Sequence, residues 1–191
     1  MKIKRVYIAS PLCNKKERQE NEEIDAVLKK AGFDTFLPQR DGFLYVDICA
    51  MLQKKGCSFE DAQNVALNLV AHCDVYNVPI CYATVLNLNG RVPDEGALVE
   101  AGISFALKKP VVLYKSDYRS LIPNHDNPLV EILSGFEIVH RMEQIPIKLR
   151  ELEKSKVAAY ERTIKLADKI LRKNPTIEEL VELGIKYFLR Q

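Results

Sequence analysis

The residues most suited to chemistry lie in the run Asn89-Gly-Arg-Val-Pro-Asp-Glu-Gly-Ala-Leu-Val-Glu-Ala-Gly102. A loop with two glycines leads here into a helix that carries a carboxylate, Glu100, in its first or second turn. The positive end of a helix dipole favours an ionised acid, so Glu100 is expected to be charged. A positioned carboxylate anion is what displacement at the anomeric carbon of a sugar requires. Asp94 precedes Glu100 by six residues and sits in the loop ahead of the helix. It has the type and place of an N-cap, which is compatible with contacting a sugar. Gly96 lets the backbone come close to a ligand. Taken alone, the run also fits a capped helix with a solvated acid.

Other polar residues fall where the surrounding elements would bring them to the same place. Strands and helices alternate along the chain. Ile3–Ala9 reads as a buried first strand, and Asn14–Ala31 has helical apolar spacing closed by Gly32. Phe33–Leu37 is a second strand, followed by the polar loop Gln39-Arg-Asp-Gly42. Helices are predicted over 46–55 and from Ser58 to about His72. Strands follow at 80–86, 110–114 and 136–140, with helices at 97–107 and 128–133 between them. Such alternation implies a doubly wound α/β fold: a five-stranded parallel sheet of the flavodoxin-like or Rossmann-like kind. Ligands of such sheets sit outside the carboxyl ends of the strands. The loops at 9–14, 38–43, 87–96 and 115–127 all follow strands and so face one crevice. They bring Gln39, Asp41, Asp94, Asn127 and the pair Asp117 and Arg119 to that edge. Tyr7, near the end of the first strand, and Asp74, after a helix, join them.

From Ile145 the composition changes. We divide the chain into a catalytic domain over 1–142 and a C-terminal helical extension over 143–191. One long charged helix is predicted over 148–173, ended by Asn174-Pro175. Thr176 with Glu179 is a capping box that opens a final helix to about Leu189. The apolar points suggest packing on the body or on a partner subunit.

Composition narrows the functional classes. The chain has 191 residues, with 28 Lys and Arg against 26 Asp and Glu, so it lacks the basic excess of a nucleic-acid polymer binder. No apolar run approaches the roughly 20 residues that span a bilayer. The opening residues show no secretory pattern. Five cysteines without CxxC spacing and three scattered histidines argue against a disulfide framework and a zinc site. A cytoplasmic protein acting on something small is expected. Cys81 reads as a small core residue, and Arg40 and Arg119 as salt-bridge partners.

The order of these motifs resembles the nucleoside 2-deoxyribosyltransferase family. The likeness is carried by Tyr7, by Pro38 to Gly42, and by Asp74 twenty residues before Asp94. Gly96 and Glu100-Ala-Gly102 follow, then Lys109-Pro-Val-Val112 and an Asp-x-Arg loop ending in Asn127-Pro. It covers about residues 3–140. It departs at Asn89, where the family more often has Asp, and at Ala97, where Thr or Ser is usual.

The resemblance implies that Glu100 attacks C1′ of a 2′-deoxynucleoside and that Tyr7 orients it. Asp94 would bind a sugar hydroxyl, and Asp74 would help proton transfer at the base. Gln39 and Asp41 would read the base edge. Asn127 would reach the site of a neighbouring subunit in a homo-oligomer built from dimers. The substrates implied are a 2′-deoxynucleoside and a free nucleobase, with no metal or organic cofactor. Two other readings stand beside it: a glycosidase of 2′-deoxynucleoside 5′-monophosphates, and a non-catalytic nucleotide-binding module.

Overall fold

A computed structural model describes residues 3–90, 92–117, 125–155, 158–172 and 175–189. Five strands form one sheet in the order β2-β1-β3-β4-β5. They are β1 (Arg5–Ala9), β2 (Asp34–Phe36), β3 (Ala83–Asn87), β4 (Val111–Tyr114) and β5 (Ile138–Val139). Every neighbouring pair is parallel. Strands β3 and β4 are buried along their whole length, as a sheet covered on both faces demands. The strand order reverses direction between β1 and β3, which opens a crevice at their carboxyl ends.

Helices cover both faces. On one, α1 (Lys15–Lys30) contributes Ile24 and Leu28, and α7 (Gln144–Lys154) contributes Ile145 and Leu149, against Val6, Ile8, Val85 and Val112. The other face is covered by α4 (Phe59–Ile80) and α5 (Glu95–Ala106), whose Val78, Ala97 and Ala101 meet Tyr7, Ala9, Leu86 and Leu113. Both α1 and α4 begin at the caps their sequences supply, Asn14 in a capping box with Glu17, and Ser58. Residues 145 and 149 are fully buried, so Leu149→Ala would cost about 2–5 kcal/mol. Helix α7 therefore completes the core of the sheet.

Local differences from the sequence reading have physical causes. Gln39-Arg-Asp is not a loop but part of a one-turn helix, α2 (Pro38–Asp41), because Pro38 suits a first helical position and Asp41 accepts from the Leu37 N–H. Helix α3 (Tyr45–Lys54) stands as expected, but α4 continues eight residues past His72. Asp74 is therefore within a helix rather than after one. The predicted helix over 148–173 is two: α7 ends at Lys154, and α8 (Ala159–Leu171) begins afresh, with extended backbone at Ser155 and Ala158. Phe105 packs edge-on against Tyr160 of α8, with ring centroids 5.3 Å apart. Helix α6 (Pro128–Glu131) runs into a short 3-10 turn. The second capping box, Thr176 with Glu179, opens α9 (Ile177–Gly184). Arg119, Lys173 and Asn174 lie outside the described residues.

Candidate active site

The core of the site is one contact: the Tyr7 hydroxyl donates to Oε1 of Glu100 at 2.6 Å. Its formation follows from small residues. The buried side of α5 is Ala97, Ala101 and Ser104, which lets the helix approach the sheet closely. Ser104 Oγ lies 2.5 Å from Thr84 Oγ1 of β3 and fixes that approach. Glu100, one turn before Ser104, is thereby carried to β1. Tyr7 cannot swing away: it is fully buried, and its ring stacks on Phe36 with centroids 5.2 Å apart and planes 12° apart.

Asp74 of α4 and Asp94 at the head of α5 complete an acidic group. Burial, set against the bond from Tyr7 and reinforced by the charges of Asp74 and Asp94, pushes the Glu100 carboxyl up to about 8. This reverses the expectation of an ionised Glu100. The residue is the sixth of α5, and the dipole effect fades beyond the first turn, so desolvation prevails. Burial also raises the Asp74 carboxyl, and raises the Tyr7 phenol far above its usual range. Asp94 is the N-cap of α5, accepting from the Ala97 N–H at 2.8 Å. A side chain at Gly96 would start 3.2 Å from the Asp94 carboxylate, so glycine leaves that cap room.

The remaining predicted residues are held by partners outside this group. Gln39 is bonded to α1, donating to the Arg18 carbonyl at 2.9 Å and accepting from Asn21 at 3.2 Å. Asp41 accepts from Leu37 N–H and pairs with Arg40 at 2.6 Å. Arg40 also reaches Asp25 at 3.0 Å, so it is an ion-pair partner. Asn127 is exposed and caps α6, accepting from Leu129 N–H at 2.9 Å. Cys81 is buried in the core, which pushes its thiol up to about 11. Among the described residues, no group of three or more His, Cys, Asp and Glu is arranged to hold a metal ion. Among them, too, no helix is long and apolar enough to cross a membrane.

A polar network that joins α1 to the segments after β3 and β4 has no counterpart in the sequence reading. Glu20 of α1 accepts from Asn87 at 3.1 Å and from Asn89 at 2.5 Å. Asn89 in turn binds the backbone after β4. Glu20 lies 67 and 69 residues from its partners, and no local pattern links such positions.

A family model described as nucleoside 2-deoxyribosyltransferase matches residues 6–167. No curated protein matches the sequence. Among solved structures, the chain is similar to a conserved protein from Enterococcus faecalis V583, with a TM-score of 0.60 and 18% identity over 78% of this chain and 98% of that one. A 2-deoxyribosyltransferase from Bacillus psychrosaccharolyticus matches with a TM-score of 0.41 and 21% identity, covering 62% of this chain and 77% of that one. A Clostridium botulinum CMP N-glycosidase matches with a TM-score of 0.47 and 17% identity, over 78% of this chain and 98% of that one.

Proposed function

The chain belongs to the nucleoside 2-deoxyribosyltransferase family, and from that membership we propose that it exchanges the base of a 2′-deoxynucleoside for another free nucleobase. The observation that carries this reading is the 2.6 Å bond from Tyr7 to Glu100 inside an acidic group. In the ionised form of Glu100, which gains ground as pH rises toward 8, one oxygen is held by the phenol and the carboxylate attacks C1′ with the other. The C1′–N bond breaks as the C1′–O bond forms, and its electron pair leaves with the base. Asp74, whose carboxyl is raised by burial, holds the proton that the departing base takes up. A second base then attacks C1′ from the opposite face, passes its N–H proton back to Asp74 and releases Glu100 as its carboxylate. Two inversions give net retention. Lack of a 2′-hydroxyl eases the oxocarbenium-like transition state, and exclusion of water favours transfer over hydrolysis.

Asp94 is assigned to a sugar hydroxyl. Among the described residues, the charges acting on Glu100 are those of the acids Asp74 and Asp94, and such surroundings suit a neutral nucleoside better than a phosphate. Gln39 and Asp41 are assigned to the base end, where their internal bonds hold the α2 turn. Asn127, exposed on its loop, is assigned to the site of a neighbouring subunit. Substrate exchange in nucleotide salvage inside the cytoplasm follows from this reading.

The test is direct. Incubation with deoxyinosine, with and without free adenine, is expected to give deoxyadenosine and fast base release only with the acceptor. Equally fast release without adenine would overturn the transferase in favour of a glycosidase. A covalent deoxyribosyl adduct on Glu100, seen by mass spectrometry of the intact protein, separates an enzyme from a binding module.

A further inference from the structure

The Asn89 amide has no hydrogen-bonding capacity left for a ligand. Its oxygen accepts from the Ser116 N–H at 2.8 Å and the Asp117 N–H at 3.1 Å. Its nitrogen donates to Glu20 Oε1 at 2.5 Å and to Ser116 Oγ at 2.9 Å. Two acceptor and two donor sites are all that a carboxamide offers. The residue is buried, and its own N–H is bound to Asn87 Oδ1 at 3.0 Å. Next in the chain, Gly90 has a φ of +128° and donates its N–H to Asp117 Oδ2 at 3.0 Å. The other end of the bridge is Glu20. One of its oxygens takes the Asn89 amide and the other takes Asn87 at 3.1 Å.

Three segments meet at this bridge: α1, the loop after β3 that leads to Asp94, and the loop after β4. Substrate groups assigned to different loops are useful only if those loops keep their spacing. A misplacement of about 1 Å can cost about 100-fold in rate. We propose that Glu20 and Asn89 form a clamp that sets the loop after β3, and with it Asp94, in position over Glu100. Both are positioning residues and neither touches the substrate. The proposal goes beyond the base-exchange reading and needs it only for the activity measurement.

The clamp has a directionality that can be tested by reversal. In Asn89→Asp, a carboxylate faces the Glu20 carboxylate and the donor between them is gone. In Glu20→Gln, the new NH₂ must face the NH₂ of Asn87 or of Asn89. Neither asparagine can turn over, because each oxygen already accepts a backbone N–H. In the double variant the pattern closes again. The introduced amide donates to the introduced carboxylate and its oxygen accepts from Asn87, while the Ser116 hydroxyl reverses to become a donor.

Each single variant is expected to lower kcat for cleavage of a deoxynucleoside by about 10- to 100-fold with little change in KM. The double variant Asn89→Asp with Glu20→Gln is expected within about 3-fold of the wild type, a strongly non-additive result. Hydrogen exchange at the Gly90, Ser116 and Asp117 amides should speed up in the singles and slow again in the double. Wild-type kcat and protection in the singles, or losses that simply multiply in the double, would overturn the clamp. If Asn89→Asp does not fold, a folded double variant supports the clamp and an unfolded one overturns it. If the wild type cleaves no deoxynucleoside, the functional reading fails, while amide exchange still decides the clamp.

Discussion

Asp25 and Asp41 around Arg40, and Glu100 and Asp74 around Tyr7, are the same chemical groups driven in opposite directions. Burial pushes all four up. At Asp25 the bonds from Lys29, Thr35 and Arg40 outweigh burial and hold the carboxyl below its usual range. At Asp41 the Arg40 guanidinium and the Leu37 N–H do the same. Glu100 receives one neutral phenol and the repulsion of two acids, and ends near 8. The paired cluster is satisfied within the protein. The other has no cationic partner among the described residues, and a substrate with hydroxyls to donate and a developing positive charge at C1′ would relieve its acids. Among the described residues, burial of acids without a cation marks the reactive place.

The largest expected effect removes the nucleophile. Glu100→Gln should lower base release by at least about 1000-fold and abolish the covalent adduct while nucleoside binding persists. The same variant reports the strain of the cluster. Because folding raises the Glu100 value from 4.5 to about 8, the folded state binds more protons across that window, so stability falls as pH rises through it. Glu100→Gln lacks this loss, so its melting temperature should exceed that of the wild type above pH 8 by a few degrees.

Next in size is Tyr7→Phe, which keeps the stack on Phe36 and deletes the bond to Glu100. A loss of about 10- to 100-fold in kcat/KM is expected, in line with the worth of one hydrogen bond to a charged group. For the wild type, kcat/KM should rise with pH as the nucleophile ionises, with the limb near 8 in the free enzyme. The Tyr7 bond lowers the Glu100 value, so its removal should move that limb to higher pH. An unmoved limb would show that another group controls it.

Arg40→Ala probes the opposite cluster and should act on stability alone. It strips a partly buried carboxylate of one partner and costs about 1–3 kcal/mol. The depressed carboxyls of Asp25 and Asp41 supply stability above their unfolded values that is lost as pH falls through the folded ones. Thermal unfolding between neutral and acid pH should therefore show a shallower acid loss in Arg40→Ala. A fall in kcat beyond about 3-fold would mean that the two clusters are coupled.

How far the sequence could go follows from which of these forces are local. Caps, strand runs and the glycine-containing loop are encoded within a few residues. Asn14 with Glu17, Ser58, Asp94 and Thr176 stand where their types predict. The order of motifs carried Tyr7, Asp74, Asp94 and Glu100 to one group. What escaped depends on tertiary burial. The upward shift of the Glu100 carboxyl follows from the closeness of α5 to β1, which Ala97, Ala101 and Ser104 permit but do not announce. The resemblance offers Asp41 as a reader of the base edge, and only the fold sets Arg40 between it and Asp25. The Glu20 bridge joins residues far apart in the chain, and the gap between α7 and α8 lies under a continuous charged, helix-compatible stretch.

The smallest expected effect decides to which cluster Asp41 belongs. Its carboxylate is shared between Leu37 N–H at 2.8 Å and Arg40 at 2.6 Å, and Arg40 is partly solvated. Asp41→Asn keeps an oxygen for the N–H and gives up one ion pair, so the cost in stability should stay below about 1 kcal/mol. If Asp41 only holds the α2 turn, KM for the donor nucleoside should change less than about 3-fold, because the turn keeps its N–H bond. A KM raised about 10-fold or more for one base and not another would make Asp41 a reader of the base edge. The contrast between the clusters would then narrow: Arg40 would be holding a recognition group, and the paired acids would share the substrate with the unpaired ones.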